Sequence, residues 1–161
     1  MTVEIICVGK LKESYWRDAA AEYIKRLGRF CRPEVTELAE SRLPDKAGEA
    51  EEQAVIKAES DAILAKISRG NDTYVIALDV LGKKLDSPQL AKKIASLQLS
   101  GKSRIVFVIG GSLGLSEELL KAADYRLSFS DMTFPHQLMR VILLEQIYRA
   151  FKINAGETYH K

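Results

Sequence analysis

Between Pro135 and Asn154 the chain leaves hardly any polar side. Leu138, Met139, Val141, Ile142, Leu143, Leu144, Ile147, Tyr148, Ala150 and Phe151 fall all round a helix that proline opens. A helix apolar nearly all round is buried on two sides. In a chain of 161 residues, one ordinary domain with a core of its own, one side of such a terminal helix meets the sheet and the other a second subunit. The pattern therefore predicts a homodimer, with Leu143 and Ile147 at the subunit contact. Arg140, Glu145 and Arg149 on the same helix then need partners or a functional reason, because unpaired charges are costly where water is excluded.

The sheet comes from the rest of the chain, which alternates strand and helix patterns. Residues 2–8 (TVEIICV) read as a strand ending at Gly9-Lys10, and 15–27 repeat apolar residues at helical spacing up to Gly28. A short strand at 34–38 follows Pro33, and 41–48 with Pro44 read as a loop. Residues 49–68 form a charged helix whose inner face is Val55, Ile56, Ile63, Leu64 and Ile67, stopped by Gly70-Asn71. Residues 73–78 are a strand and 79–86 a loop around Gly82; Ser87-Pro88 caps and opens the helix that ends near Leu99. A strand at 105–109 stops at Gly110-Gly111. Ser116 then caps a short helix with Glu117 and Glu118 in its first turn, and a last strand covers 126–129. This alternation predicts a single α/β domain over 1–161, with a mainly parallel sheet covered by helices on both faces. Ligands of such sheets bind beyond the carboxyl ends of the strands, here Gly9, Leu78-Asp79, Gly110-Gly111 and Phe129-Ser130.

Composition narrows the function classes. A hydrophobic share of 47% and a charged share of 29% belong to a soluble globular chain. No apolar run approaches a membrane span, and Met1 leads straight into a strand pattern, so the expected compartment is the cytoplasm. Cys7 and Cys31 are too few and too isolated for a disulfide framework or a metal site, and Cys7 reads as a small core residue. The net charge is only +2, far from the basic footprint of a protein that grips naked nucleic acid by charge alone. Lys10, Lys12, Arg17, Lys25, Arg26, Arg29 and Arg32 make the N-terminal region locally basic, which reads as a solvated helix face.

Gly110-Gly111-Ser112-Leu113-Gly114 fits G-x-S-x-G, the nucleophile elbow of α/β-hydrolases, and stands between a strand and a helix as that motif requires. The chain order Ser112, then Asp124 or Asp131, then His136 or His160 is also permitted. Yet the domain is short for that fold and carries no upstream HGGG-type segment. It fails the spacings of a P-loop and of a dinucleotide-binding turn as well. The glycines are read instead as allowing close approach of backbone to a ligand.

Several of these stretches together resemble a known family. Val106-Phe107-Val108-Ile109-Gly110-Gly111, Leu127-Ser128-Phe129-Ser130, Met132-Thr133-Phe134-Pro135-His136-Gln137 and the closing Tyr159-His160-Lys161 are similar to the bacterial SPOUT-class RNA methyltransferases that modify a pseudouridine in large-subunit ribosomal RNA. Val8-Gly9-Lys10-Leu11-Lys12, Tyr15-Trp16, Glu22-Tyr23 and Lys25-Arg26-Leu27-Gly28 extend the likeness over essentially the whole chain, most weakly between Glu40 and Glu59. The resemblance implies a deep trefoil knot in the C-terminal segment, about residues 104–161, an exception to the rule that chains do not thread loops. It also implies a homodimer and S-adenosylmethionine as methyl donor. The cofactor contacts it implies are Leu78, Gly110, Phe129, Ser130, Asp131, Met132, Thr133 and Phe134. The expected reaction is methylation of ring nitrogen 3 of a pseudouridine in the intersubunit stem-loop of large-subunit ribosomal RNA, with the modest net charge favouring the assembled ribosome. Another RNA such as tRNA is the alternative substrate, and an RNA-binding module or a small hydrolase on the Ser112 loop are the alternatives in kind.

The chemistry of that reaction selects the remaining candidates. The imide nitrogen is a poor nucleophile until its proton leaves, so the site must align nitrogen, methyl and sulfur, accept a proton and stabilise charge on the flanking carbonyls. No metal is called for. Histidine suits the proton step, and the chain has two, His136 and His160. Arg140, one turn after His136, is a candidate for holding the developing imidate or a phosphate. Tyr159 and His160 have no core reason to be aromatic, and the resemblance makes them a tail that orders over a site, its own or the partner's.

Overall fold

Strand β4 (Arg104–Ile109) shows why this chain folds as it does. Its apolar residues face two ways: Ile105, Phe107 and Ile109 enter one core cluster, and Val106 and Val108 enter another. A strand apolar on both faces must be covered on both. The computed structural model, which describes residues 1–68 and 70–161, provides that cover. β4 lies at the centre of a five-stranded sheet of order β2-β1-β4-β3-β5, in which every pairing is parallel. The other strands are β1 (Thr2–Val8), β2 (Arg32–Leu38), β3 (Thr73–Lys84) and β5 (Tyr125–Ser128). On one face α1 (Ser14–Leu27), α3 (Ser87–Leu99) and α5 (His136–Asn154) bury Ala20, Leu90, Ile94, Leu143 and Ile147 against Ile5 and Phe107. On the other, α2 (Glu49–Lys66) and α4 (Glu117–Ala122) bury Ile63, Leu119 and Leu120 against Ile6, Val8 and Val106. Cys7 is a fully buried core residue.

The predicted alternation of elements is the observed one, with local differences that have physical causes. β2 starts at Arg32, so Pro33 lies inside a strand; β2 is the sheet edge, where a missing N–H costs no ladder bond. Residues 79–84, expected in a loop, continue β3, which leaves register after Leu78 and pairs again with β5 at Lys83 and Lys84. The helix after it is capped by Asp86, whose carboxylate accepts the Gln89 N–H at 2.7 Å, and not by Ser87, whose hydroxyl donates to Gln146 Oε1 at 2.7 Å. α2 ends at Lys66, two residues short of the expected boundary, while β5 starts and ends one residue early.

α5 corrects one expectation. It lies against the sheet between α1 and α3, so Leu143 and Ile147, expected at a subunit contact, are fully enclosed within a single chain. Leu138, Met139, Val141, Ile142 and Ile153 are the apolar residues of α5 that stay partly exposed.

Candidate active site

The carboxyl ends of β3, β4 and β5 open into a cavity of about 300 Å³, within the size range of small-molecule sites. Leu78, Ile109, Leu127, Phe129, Phe134 and Met139 give it apolar walls, and the glycine loop together with Ser130, Met132 and Thr133 forms its rim. The one acidic lining residue, Asp79, is engaged: its carboxylate accepts Arg126 Nε at 2.7 Å. An apolar slot edged by peptide groups fits a heteroaromatic ring better than a polyanion.

The glycine loop takes its shape from a tight turn. Gly114 N–H donates to Gly111 O at 3.1 Å and Gly114 sits at φ +87°, a conformation that residues with a Cβ rarely adopt. A Cβ on Gly110 would come 3.0 Å from the Gly114 backbone and the Leu115 side chain. The loop is therefore folded tightly on itself at that point.

Seven of the eight expected cofactor contacts line this cavity: Leu78, Gly110, Phe129, Ser130, Met132, Thr133 and Phe134. Asp131 does not. Its carboxylate turns outward and pairs with Lys84. His136 opens α5 and also lines the cavity, with Nε2 3.4 Å from Glu40 Oε1 in a geometry that makes no hydrogen bond. Arg140, one turn on, is 1% exposed and stands outside the lining. Its Nη2 donates to Gly9 O at 2.8 Å and its Nη1 is 3.5 Å from Glu37 Oε1, while Nε and Nη1 are buried without a hydrogen bond.

The tail lies elsewhere in the chain's own fold. The Tyr159 ring packs edge-on against Tyr148 with centroids 5.1 Å apart, and its hydroxyl donates to Glu145 Oε1 at 3.2 Å. Burial first, and the Glu145 carboxylate second, push its phenol up to about 12. Exposed His160 places Nδ1 3.3 Å from Arg149 Nη1. A guanidinium has only donors, so this contact requires the lone pair on Nδ1. Tyr148 is three turns past His136, about 18 Å along the helix, so one chain does not bring its tail and its cavity together. Nor does a hydrolase site assemble: among the described residues Ser112 hydrogen-bonds neither histidine.

Sequence reasoning named Asp79 only as part of a strand end where ligands bind, and missed Met139, Glu40 and Glu59. Asp79 and Met139 line the cavity, and Glu40 abuts His136. Asp79 stands at a strand end and Met139 one turn inside α5. Glu40 lies where the chain shows no periodicity, and its approach to His136 spans almost a hundred residues.

The model of the family described as predicted SPOUT methyltransferase matches residues 1–160. The chain belongs to the SPOUT methyltransferase family. Relatives of this SPOUT chain include the ribosomal RNA large subunit methyltransferase H of Clostridium novyi (strain NT) and that of Bifidobacterium adolescentis, each 58% identical over the full length of both chains. A putative ribosomal RNA large subunit methyltransferase H of Methanococcus maripaludis is 50% identical over the same extent. A solved structure, that of a probable methylase family protein from Haemophilus influenzae Rd KW20, superposes with a TM-score of 0.53 at 16% identity, covering 99% of this chain and 70% of that one. That likeness bears on the SPOUT fold alone.

Proposed function

We propose that this SPOUT methyltransferase transfers a methyl group from S-adenosylmethionine to ring nitrogen 3 of a pseudouridine in the intersubunit stem-loop of large-subunit ribosomal RNA, on the assembled ribosome in the cytoplasm, as a homodimer with a trefoil-knotted C-terminal segment. The observation that carries this reading is the full-length, 58% identity with proteins named ribosomal RNA large subunit methyltransferase H.

The cavity supports the cofactor assignment. Phe129, Phe134 and Leu78 offer apolar contact to the adenine, and the peptide groups of Ser130 and Thr133 offer edge hydrogen bonds. Bound there, S-adenosylmethionine supplies an electrophilic methyl on a sulfonium. The protein's tasks are then to align the nucleotide, take the imide proton and neutralise the charge left behind. His136, on the cavity wall, is assigned the proton. Arg140, enclosed one turn behind it and outside the lining with unpaired donors, is assigned the developing negative charge, which its cation stabilises through the field rather than by contact. Tyr159 and His160 are assigned to the nucleotide, delivered by the second subunit, since in one chain they sit far along α5. The partly exposed Leu138, Val141 and Ile142 on that helix support a partner.

The test supplies labelled S-adenosylmethionine together with ribosomes, isolated large subunits, free ribosomal RNA or tRNA. Label is expected in ribosomal RNA of assembled particles, at a nucleoside that mass spectrometry identifies as N3-methylpseudouridine. Label in tRNA alone would replace the substrate, and no transfer to any RNA would sink the enzyme reading.

A further inference from the structure

α2 buries two consecutive polar residues in an otherwise apolar contact. Glu59 is 6% exposed and Ser60 fully buried, on the helix stripe that also carries Ile63, which shares a core cluster with Val8 and Leu119 and against which Leu115 packs. A carboxylate in such surroundings needs partners. Glu59 Oε1 accepts the Ser41 N–H at 2.9 Å. Its other oxygen occupies the space beside Gly111 of the glycine loop, where a Cβ would lie only 2.7 Å from it. Residue 111 can therefore only be glycine while the carboxylate keeps its place. One position on, Ser60 Oγ accepts the Ser116 N–H at 2.9 Å, and Ser116 Oγ accepts the Leu119 N–H at 3.2 Å to start α4. The cavity's glycine wall is thus held near both ends by neighbouring residues of one helix. The same carboxylate fixes Ser41, next to the Glu40 that stands beside His136.

We propose that Glu59 is a positioning residue of the methyltransferase site: it anchors the segment at Ser41 through a hydrogen bond and packs against the glycine loop at Gly111, and so sets the cofactor wall relative to the His136 wall. It touches neither cavity nor reacting atoms. Stability alone gives little reason for the charge, because burying a carboxylate without an ion-pair partner costs desolvation that one hydrogen bond offsets only in part. An apolar residue cannot, however, accept the Ser41 N–H. The binding part of this inference rests on the S-adenosylmethionine reading above; the bracing part does not.

The experiment compares Glu59→Met and Glu59→Gln with the parent in thermal midpoint, amide hydrogen exchange, S-adenosylmethionine affinity by calorimetry and methyl-transfer kinetics. Glu59→Met is expected to melt no lower than the parent, yet to exchange the amides of Ser41 and of 111–116 faster. Its affinity for S-adenosylmethionine should fall about tenfold, as small misplacements of binding groups do, with the loss in KM for the cofactor more than in kcat. Glu59→Gln should recover most of the affinity, since its amide oxygen can accept the Ser41 N–H. Parental exchange and parental affinity in Glu59→Met overturn the proposal. Should that variant fail to fold, Gly111→Ala reads the same contact from the loop side, and parental exchange and affinity there overturn it equally. A parent that binds no S-adenosylmethionine sinks the cofactor reading, and the exchange measurements still decide the bracing.

Discussion

Tyr159 owes its raised phenol mainly to burial and then to Glu145, and both favour the neutral form. It is a hydrogen-bond donor at any pH where the protein works, not a base. Linkage gives the sign at high pH. An unfolded tyrosine loses its proton near its ordinary value of 10.0 and the folded one only near 12, so the stability this contact contributes is complete below pH 10 and lost as pH rises to about 12. The thermal midpoint of the parent should fall over that window more steeply than that of Tyr159→Phe. Parallel curves would mean that the contact with Glu145 is not kept in solution. His136 makes the opposite kind of prediction, about rate. If it takes the imide proton, His136→Ala should lower turnover by about 10²–10⁴-fold and flatten its dependence on pH, whereas His160→Ala should slow turnover and keep the parental slope. A slope that vanishes only in His160→Ala would move the base to the tail.

In the glycine loop the two readings of one motif separate cleanly. Ser112 is exposed at the cavity and unconnected to either histidine, so Ser112→Ala should leave methyl transfer within about twofold of the parent, as surface substitutions generally do. Gly110→Val should weaken S-adenosylmethionine binding, through a cause the sequence did not reveal. Its Cβ is directed at the Gly114 backbone, so the substitution pries the loop open instead of filling the ligand's space. Calorimetry on both variants decides, and an inactive Ser112→Ala beside an unaffected Gly110→Val would restore the hydrolase. The same contrast marks what the chain discloses before it folds. β4, α4 and α5 were readable because periodicity, a serine cap and an N-terminal proline are local signals. Seven cavity residues were reached through the resemblance to SPOUT methyltransferases; of these only Leu78, Gly110, Phe129 and Ser130 were also marked locally, as strand ends. Glu59 was overlooked although it sits four residues before Ile63, on the apolar stripe of α2; a charged residue on a charged helix looks solvated until its partners at Ser41 and Gly111 are known. β3 ran past its expected end because only β5, some forty residues later, tells residues 83 and 84 to stay extended.

For the proposed homodimer the subunit contact is the exposed test. Leu143 or Ile147 would be poor targets, since a glutamate at either would be buried in its own chain and destabilise the fold. Val141→Glu, on the partly open face, should leave the fold intact and shift sedimentation from dimer to monomer; an unchanged dimer would relocate the contact. Sharing of sites between subunits has a sharper signature. A chain lacking residues 159–161 and a chain carrying His136→Ala should each be inactive, yet mixed dimers of the two should regain transfer, because one of their two sites then combines an intact His136 with an intact tail. No recovery on subunit exchange would place the tail over its own cavity. The sheet order has a consequence in time. β1 is synthesised first, but its central neighbour β4 follows roughly one hundred residues later, Thr2 pairing with Arg104. At translation speeds of about 5–20 residues per second, the apolar strand from Thr2 to Val8 waits several seconds for that partner, and the cavity walls from β5 and α5 emerge later still. β2 pairs one edge of β1 long before that, so the nascent chain carries a two-stranded ribbon with its inner edge open, and that edge is where a holding chaperone has most to cover.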